Sequence, residues 1–187
     1  MDAFTGILSS FGLSTSAGLN AYLPLLVVAL LSRFTNLIEL NEPFDALESW
    51  WTIGVLVVLG TIEFLADKIP VVDTINDILQ TFVRPAAGAI LFAANANVIA
   101  DIHPVLAMAC GLLIAGTVHV AKTAARPLVT AATAGTANPV VSTAEEFLSA
   151  ATAFLSVLFP ALIGLVLLLA VTIIGWWLWR IDRRRAV

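Results

Sequence analysis

Charge is what this chain has least of. Only 12% of its 187 residues are Asp, Glu, Lys or Arg and 60% are hydrophobic, giving a mean hydropathy of +0.99. Soluble domains average about 25% charged and about 45–50% apolar, and a single core of this size cannot hide so much apolar surface. That excludes a water-soluble enzyme, and no nucleic-acid partner is expected. Cysteine is nearly absent. Cys110 stands alone in an apolar run, so it can form neither an internal disulfide nor a thiolate metal cluster, and packing is its role. Also missing are HExxH, GxSxG and a glycine-rich nucleotide loop, which carry zinc, acyl-transfer and phosphate chemistry. Asp67, Asp73 and Asp77 echo the Asp-rich magnesium motifs of prenyl and phosphatidyl transferases, but no second such cluster follows. A magnesium-dependent intramembrane transferase is therefore the weakest reading. Met1-Asp2 leads into the first apolar run with no basic residue, unlike a usual cleavable signal peptide.

What is present is a succession of apolar runs. A membrane crossing needs about 20 apolar residues at about 1.5 Å each. Residues 17–33, 50–66, 104–122 and 160–180 approach this length, and 84–99 and 143–158 are less clean. The expected fold is all-α, a polytopic transmembrane helical bundle of about six spans with broken or re-entrant helices, in one membrane domain over 1–187. The opening FTGILSSFGLSTSAG is expected as a short interfacial or half-buried helix whose small residues favour close packing. The nine basic residues orient the chain. With both termini in the cytoplasm, all but Arg33 fall on that side, while LIELNEPFDALES and the Asp101 loop fall outside. Trp50 and Trp51 open one span, and Trp176, Trp177 and Trp179 close the last beside Arg180, as interface residues do.

An internal repeat is also visible. Gly60-Thr61-Ile62-Glu63-Phe64 pairs with Gly116-Thr117-Val118-His119-Val120, and PVVDTINDIL from Pro70 pairs with PVVSTAEEFL from Pro139. The expected halves are 50–99 and 104–180. Glu63 and His119 become counterparts, as do Asp77 and Glu146, Asn76 and Glu145, and Asp73 and Ser142. The insertion TAARPLVTAATAGTAN in the second half is expected as a broken or re-entrant segment. Pro24 is expected to kink the first span, and Pro70, Pro85, Pro127, Pro139 and Pro160 to begin helices. Asp73 and Ser142 are read as helix caps.

Ionisable groups at membrane depth are costly unless paired or hydrated, so each is a functional candidate. Glu63, Asp73, Asp77, His119, Glu146 and Asn20 are the candidates for a solute or ion path. Glu63, Asp67 and His119 are the candidate metal ligands, hard oxygens with one softer nitrogen. No cofactor is named by the sequence beyond a divalent cation suited to these ligands. Arg84 and Arg126, each before a proline, and Lys122 are the candidates for an anion or a lipid phosphate. Asn95 and Asn97 are read as hydrogen-bonding helices together, and the remaining charges as interface ion pairs.

The motifs SAGLNAYLPLL, EFLADKIPVVDTINDILQTFVRPAAGA, HVAKTAARP and NPVVSTAEEF together resemble domain-of-unknown-function family 4126, over nearly the whole chain. The resemblance implies a multi-pass protein of the bacterial cytoplasmic membrane and implies no activity. Glu63-Phe-Leu-Ala-Asp67-Lys68 also resembles the E-x-G-D-K/R motif of a family of manganese and calcium exchangers, with one residue more and no glycine. The leading expectation is a transporter or channel for a small solute, a cation or a proton-coupled substrate. The alternative is movement of an anionic lipid or other anion past the arginines. Expected partners are the bilayer, the small ion or solute, and a second copy of the chain.

Overall fold

The computed structural model describes residues 3–67, 70–96 and 102–185. Lys68, Asn97 and Asp101 lie outside them, and of Asp73 only the backbone is described. The described residues are all-α, as expected. Seven helices follow in order: α1 (Ala3–Leu19), α2 (Tyr22–Phe34), α3 (Trp50–Ala66), α4 (Pro70–Ala96), α5 (Pro104–Thr133), α6 (Asn138–Leu158) and α7 (Pro160–Arg185), with a 3-10 turn at Phe44–Glu48 before α3.

The opening segment is not at the periphery. α1 is the central helix and packs on α4, α5, α6 and α7. Ser9, Ser10, Ser14 and Ser16 have no exposed surface. Such small side chains let backbones approach, and their hydroxyls then bond across the gap. Ser14 donates to the Gly88 carbonyl at 3.0 Å. Ser16 donates to the Ser149 carbonyl at 2.7 Å, and Ser149 returns a bond to the Ser16 carbonyl at 3.0 Å. The low hydropathy that suggested an interfacial helix therefore reflects tight internal packing.

The run at 17–33 is broken rather than kinked. α1 ends at Leu19, and Asn20 Oδ1 accepts from the amides of Tyr22 and Leu23 at 3.0 and 2.9 Å. Asn20 is thus a cap, satisfying two donors that the first turn of α2 leaves open. Pro24 sits within that first turn, where its missing N–H costs nothing. Asn20→Ala is expected to destabilise the protein by about 0.5–2 kcal/mol, the usual cost of losing such a cap. Denaturant unfolding in micelles reads this, and unchanged stability would show the cap to be idle.

Among the described residues three helices are long and apolar enough to cross a membrane: Pro104–Thr133, Asn138–Leu158 and 160–181. Two shorter apolar helices are α2 and α3. The polar first half of α4 continues into a buried apolar second half. Large apolar side chains are exposed along α3, α5 and α7, among them Trp51, Val58, Leu113, Val120, Leu168 and Ile173. An exposed apolar surface of this kind marks an interaction with lipid or protein.

Two expectations about prolines are corrected. Pro70, Pro139 and Pro160 stand at helix starts, but Pro85 and Pro127 lie inside α4 and α5. The Arg-Pro pairs are therefore not helix N-termini. The insertion expected as re-entrant continues α5 without a break to Thr133, favoured by its alanines. The helix closes on Ala134 and Gly135, both in left-handed backbone at φ 50 and 81°. Ser142 is no cap either, because its hydroxyl is used elsewhere.

Candidate functional site

Residues 76, 77, 80, 81 and 84 recur at the three- and four-residue spacing that places them on one face of α4. That face carries Asn76, Asp77, Gln80, Thr81 and Arg84 and meets α5 along the most extensive helix pair in the bundle. Arg84 is fully buried. Its Nη2 donates to Glu63 Oε1, in the last turns of α3, at 3.0 Å. Its Nη1 bonds His119 Nδ1 on α5 at 3.0 Å and lies 3.9 Å from Asp77 Oδ1. The two repeat counterparts, Glu63 and His119, thus meet on one guanidinium.

That contact settles the state of the histidine. A guanidinium only donates, so His119 Nδ1 must be a lone pair and the ring neutral, with its proton on Nε2. Nε2 stands 3.1 Å from Thr81 Oγ1, which donates in turn to the Asp77 carbonyl at 2.9 Å. The directions are consistent along the chain Arg84, His119, Thr81, Asp77.

A second centre lies one to two turns away. Arg126 of α5 donates through Nη2 to Ser142 Oγ at 2.9 Å and Glu145 Oε2 at 3.3 Å, both on α6. It also pairs with Asp67 Oδ2 at 3.8 Å and Asp77 Oδ2 at 3.5 Å. Asp67 Oδ1 accepts from Asn76 at 3.0 Å. Lys122 pairs with Glu145 at 2.9 Å and donates to the Leu19 carbonyl, at the end of α1, at 3.1 Å. A cation there complements the negative end of the helix dipole. The charges therefore alternate in sign, from Glu63 through Arg84, Asp77, Arg126 and Glu145 to Lys122, and tie together α3, α4, α5, α6 and the end of α1.

The sequence candidates separate accordingly. Glu63, Asp77, His119, Arg84, Lys122, Arg126 and Asp67 come together in this network. Glu146 is buried on α6 beside Glu145. Asn20 belongs to a helix cap, and the Asp73 side chain lies outside the described residues. The metal expectation does not hold. Among the described residues no three His, Cys, Asp or Glu groups converge as ligands. The reason is visible: Arg84 stands between Glu63 and His119, and Asp67 turns to Asn76 and Arg126. A divalent cation does not fit this donor set. The anion seat loses its basis as well, since Arg84 and Arg126 are inside helices and face carboxylates. Gln80, Thr81, Asn76 and the partner role of Ser142 were missed, although their helical spacing on α4 was there to be counted.

One opening reaches the network. A shallow groove of about 310 Å³ is lined by Thr81, His119, Val120, Thr123 and Ala124. Both prolines bear on it. Lacking an N–H, Pro85 leaves the Thr81 carbonyl without its helical donor, and Pro127 does the same to Thr123.

Fold and site together define an all-helical bundle with an apolar exterior and a largely buried network of alternating charges. The chain matches the family described as Domain of unknown function (DUF4126) over residues 7–180, and it belongs to that family. No curated protein and no solved structure matches it.

Proposed function

We propose that this is a multi-pass protein of the bacterial cytoplasmic membrane that carries a small solute coupled to protons, with Glu63 as the proton-binding group. The observation that carries the reading is the fully buried Arg84, shared between Glu63 and His119. A buried charge pair is costly to desolvate and gives little net stability against apolar replacements, so its presence at membrane depth points to use. Protonating Glu63 weakens its hold on Arg84 Nη2, and the guanidinium can then shift toward Asp77, whose Oδ1 lies 3.9 Å from the other arm, Nη1. That exchange couples a proton to a rearrangement between α3 and the α4–α5 pair. The same pairing disfavours a pore for free cations, because Arg84, Arg126 and Lys122 neutralise the acids that would attract them. The basic residues on one side of the apolar runs support cytoplasmic termini.

The test is charge movement after a pH jump, recorded from proteoliposomes on a solid-supported membrane. Wild-type protein is expected to give a transient current that Glu63→Gln abolishes and that Glu39→Gln, in the exposed loop before α3, leaves intact. A silent wild type, or an unchanged transient in Glu63→Gln, would remove Glu63 as the proton site.

A further inference from the structure

The Glu63–Arg84 contact is incomplete in a specific way. Glu63 Oε1 accepts from Nη2 at 3.0 Å, but Glu63 Oε2 and Arg84 Nε, on the same edge of the pair, have no hydrogen-bond partner. Gln80 stands one helical turn before Arg84 on the same face of α4, and its Oε1 also has no partner. All three side chains are almost fully enclosed, at 1%, 0% and 2% exposure. Tyr22 on α2 is the polar side chain that α2 brings toward Gln80 and Glu63. Two acceptors and one donor remain, each of which loses free energy if buried unpaired.

We propose that Glu63 Oε2, Gln80 Oε1 and Arg84 Nε bind one buried water molecule, which is the immediate carrier of the proton onto Glu63. Water matches the set: it donates twice, to the carboxylate and the amide oxygen, and accepts once from Nε–H. Three bonds are also what a buried water typically makes. A larger guest is excluded by the enclosure, and an anion by the two acceptors. The step balances simply. Hydronium at this position breaks an O–H bond, Glu63 Oε2 forms one, and neutral water remains. The titratable and charged groups facing Glu63 are Arg84 from α4, Asp67 from its own end of α3, Lys122 from α5 and Tyr22 from α2. Glu63 Oε2 has no hydrogen-bond partner among them. The inference rests on Glu63 being the proton site, so the experiment reads the water and the carboxyl separately.

That experiment is pH-difference infrared spectroscopy of the protein in lipid, in ordinary water and in water labelled with oxygen-18. The expected wild-type spectrum has a carboxylic C=O band that is absent from Glu63→Gln. It also has a water O–H stretching band that shifts with the label and changes with the same pH midpoint. Gln80→Met, which keeps the bulk and removes the acceptor, is expected to lose or displace the water band and retain the carboxyl band. A carboxyl band with no label-sensitive partner in wild type overturns the water site, meaning that Oε2 closes directly on Nε, and leaves Glu63 as the proton site. A water band unchanged in Gln80→Met overturns its placement. A water band that appears without any titrating Glu63 band overturns the carrier role and, with it, the proton-coupled reading. The wild-type labelling result stands whether or not the variant folds.

Discussion

Arg84→Met is expected to lose about 3–5 kcal/mol of stability, the cost of leaving a buried carboxylate without its partner. In the native protein Glu63 is 1% exposed, and its carboxylate accepts a hydrogen bond from Arg84. Removing the guanidinium also leaves His119 Nδ1 without its donor at 3.0 Å. The double variant Glu63→Leu/Arg84→Met is expected to recover most of the loss, because two apolar groups need no partner and can pack. Equilibrium unfolding of the two single variants and the double variant in mixed micelles forms the cycle. Losses that add, with no recovery in the double variant, would show that the two side chains do not act as a pair. The recovered protein is expected to remain silent in the pH-jump recording, which separates folding from function.

The second large effect lies where α4 crosses α5. A Cβ built on Gly111 would lie 2.2 Å from the Gly88 carbonyl oxygen and 2.6 Å from Phe92 Cβ. One built on Gly88 would lie 2.4 Å from Ala115 Cβ and 2.8 Å from the Gly111 carbonyl oxygen. These obstacles are backbone and short side chains, which cannot swing aside, so the helices must separate. Gly111→Ala is expected to cost at least the upper part of the roughly 1–3 kcal/mol range for overpacking, and Gly111→Leu to prevent assembly of the bundle. Gly54 on α3 provides the contrast, since nothing lies within 4 Å of a Cβ there. Gly54→Ala is expected to be neutral or slightly stabilising, as alanine is the better helix former. Thermal unfolding of the three variants decides it, and equal midpoints for Gly111→Ala and wild type would refute the close crossing.

The boundaries of α3 and the break at Pro160 were legible in the sequence, because apolar length and a proline after an apolar run are local signals. The place of α1 was not. Its serines lower hydropathy, and only the neighbouring helices reveal that those hydroxyls bond to Gly88 and Ser149 carbonyls. Pro85 and Pro127 misled because a proline more often opens a helix than sits within one. The candidate charges were nearly all identified, but their pairing was not. Glu63 and Arg84 are 21 residues apart, and Arg126 draws acids from three other helices. Such partners depend on helix register, which no single segment carries. The repeat helped in one respect: it matched Glu63 with His119, and both reach Arg84.

The two proline-freed carbonyls, Thr81 and Thr123, have a consequence for where the bilayer ends. Acceptors without donors cost several kcal/mol in hydrocarbon, so in the proposed membrane setting water or lipid headgroups would have to reach the Thr123 carbonyl. Counting back along α5 from Thr123 to Pro104 gives about 20 residues, which at about 1.5 Å each span about 30 Å, the thickness of a hydrocarbon core. On the proposed membrane placement, the stretch of α5 beyond Thr123, with Arg126, would project past the acyl chains. Arg126 and its acids would then belong to the headgroup zone, with Arg84 and Glu63 beneath it. The proton site would be roofed by a thin polar layer rather than by half a membrane, and its seal would depend on the lipids above it.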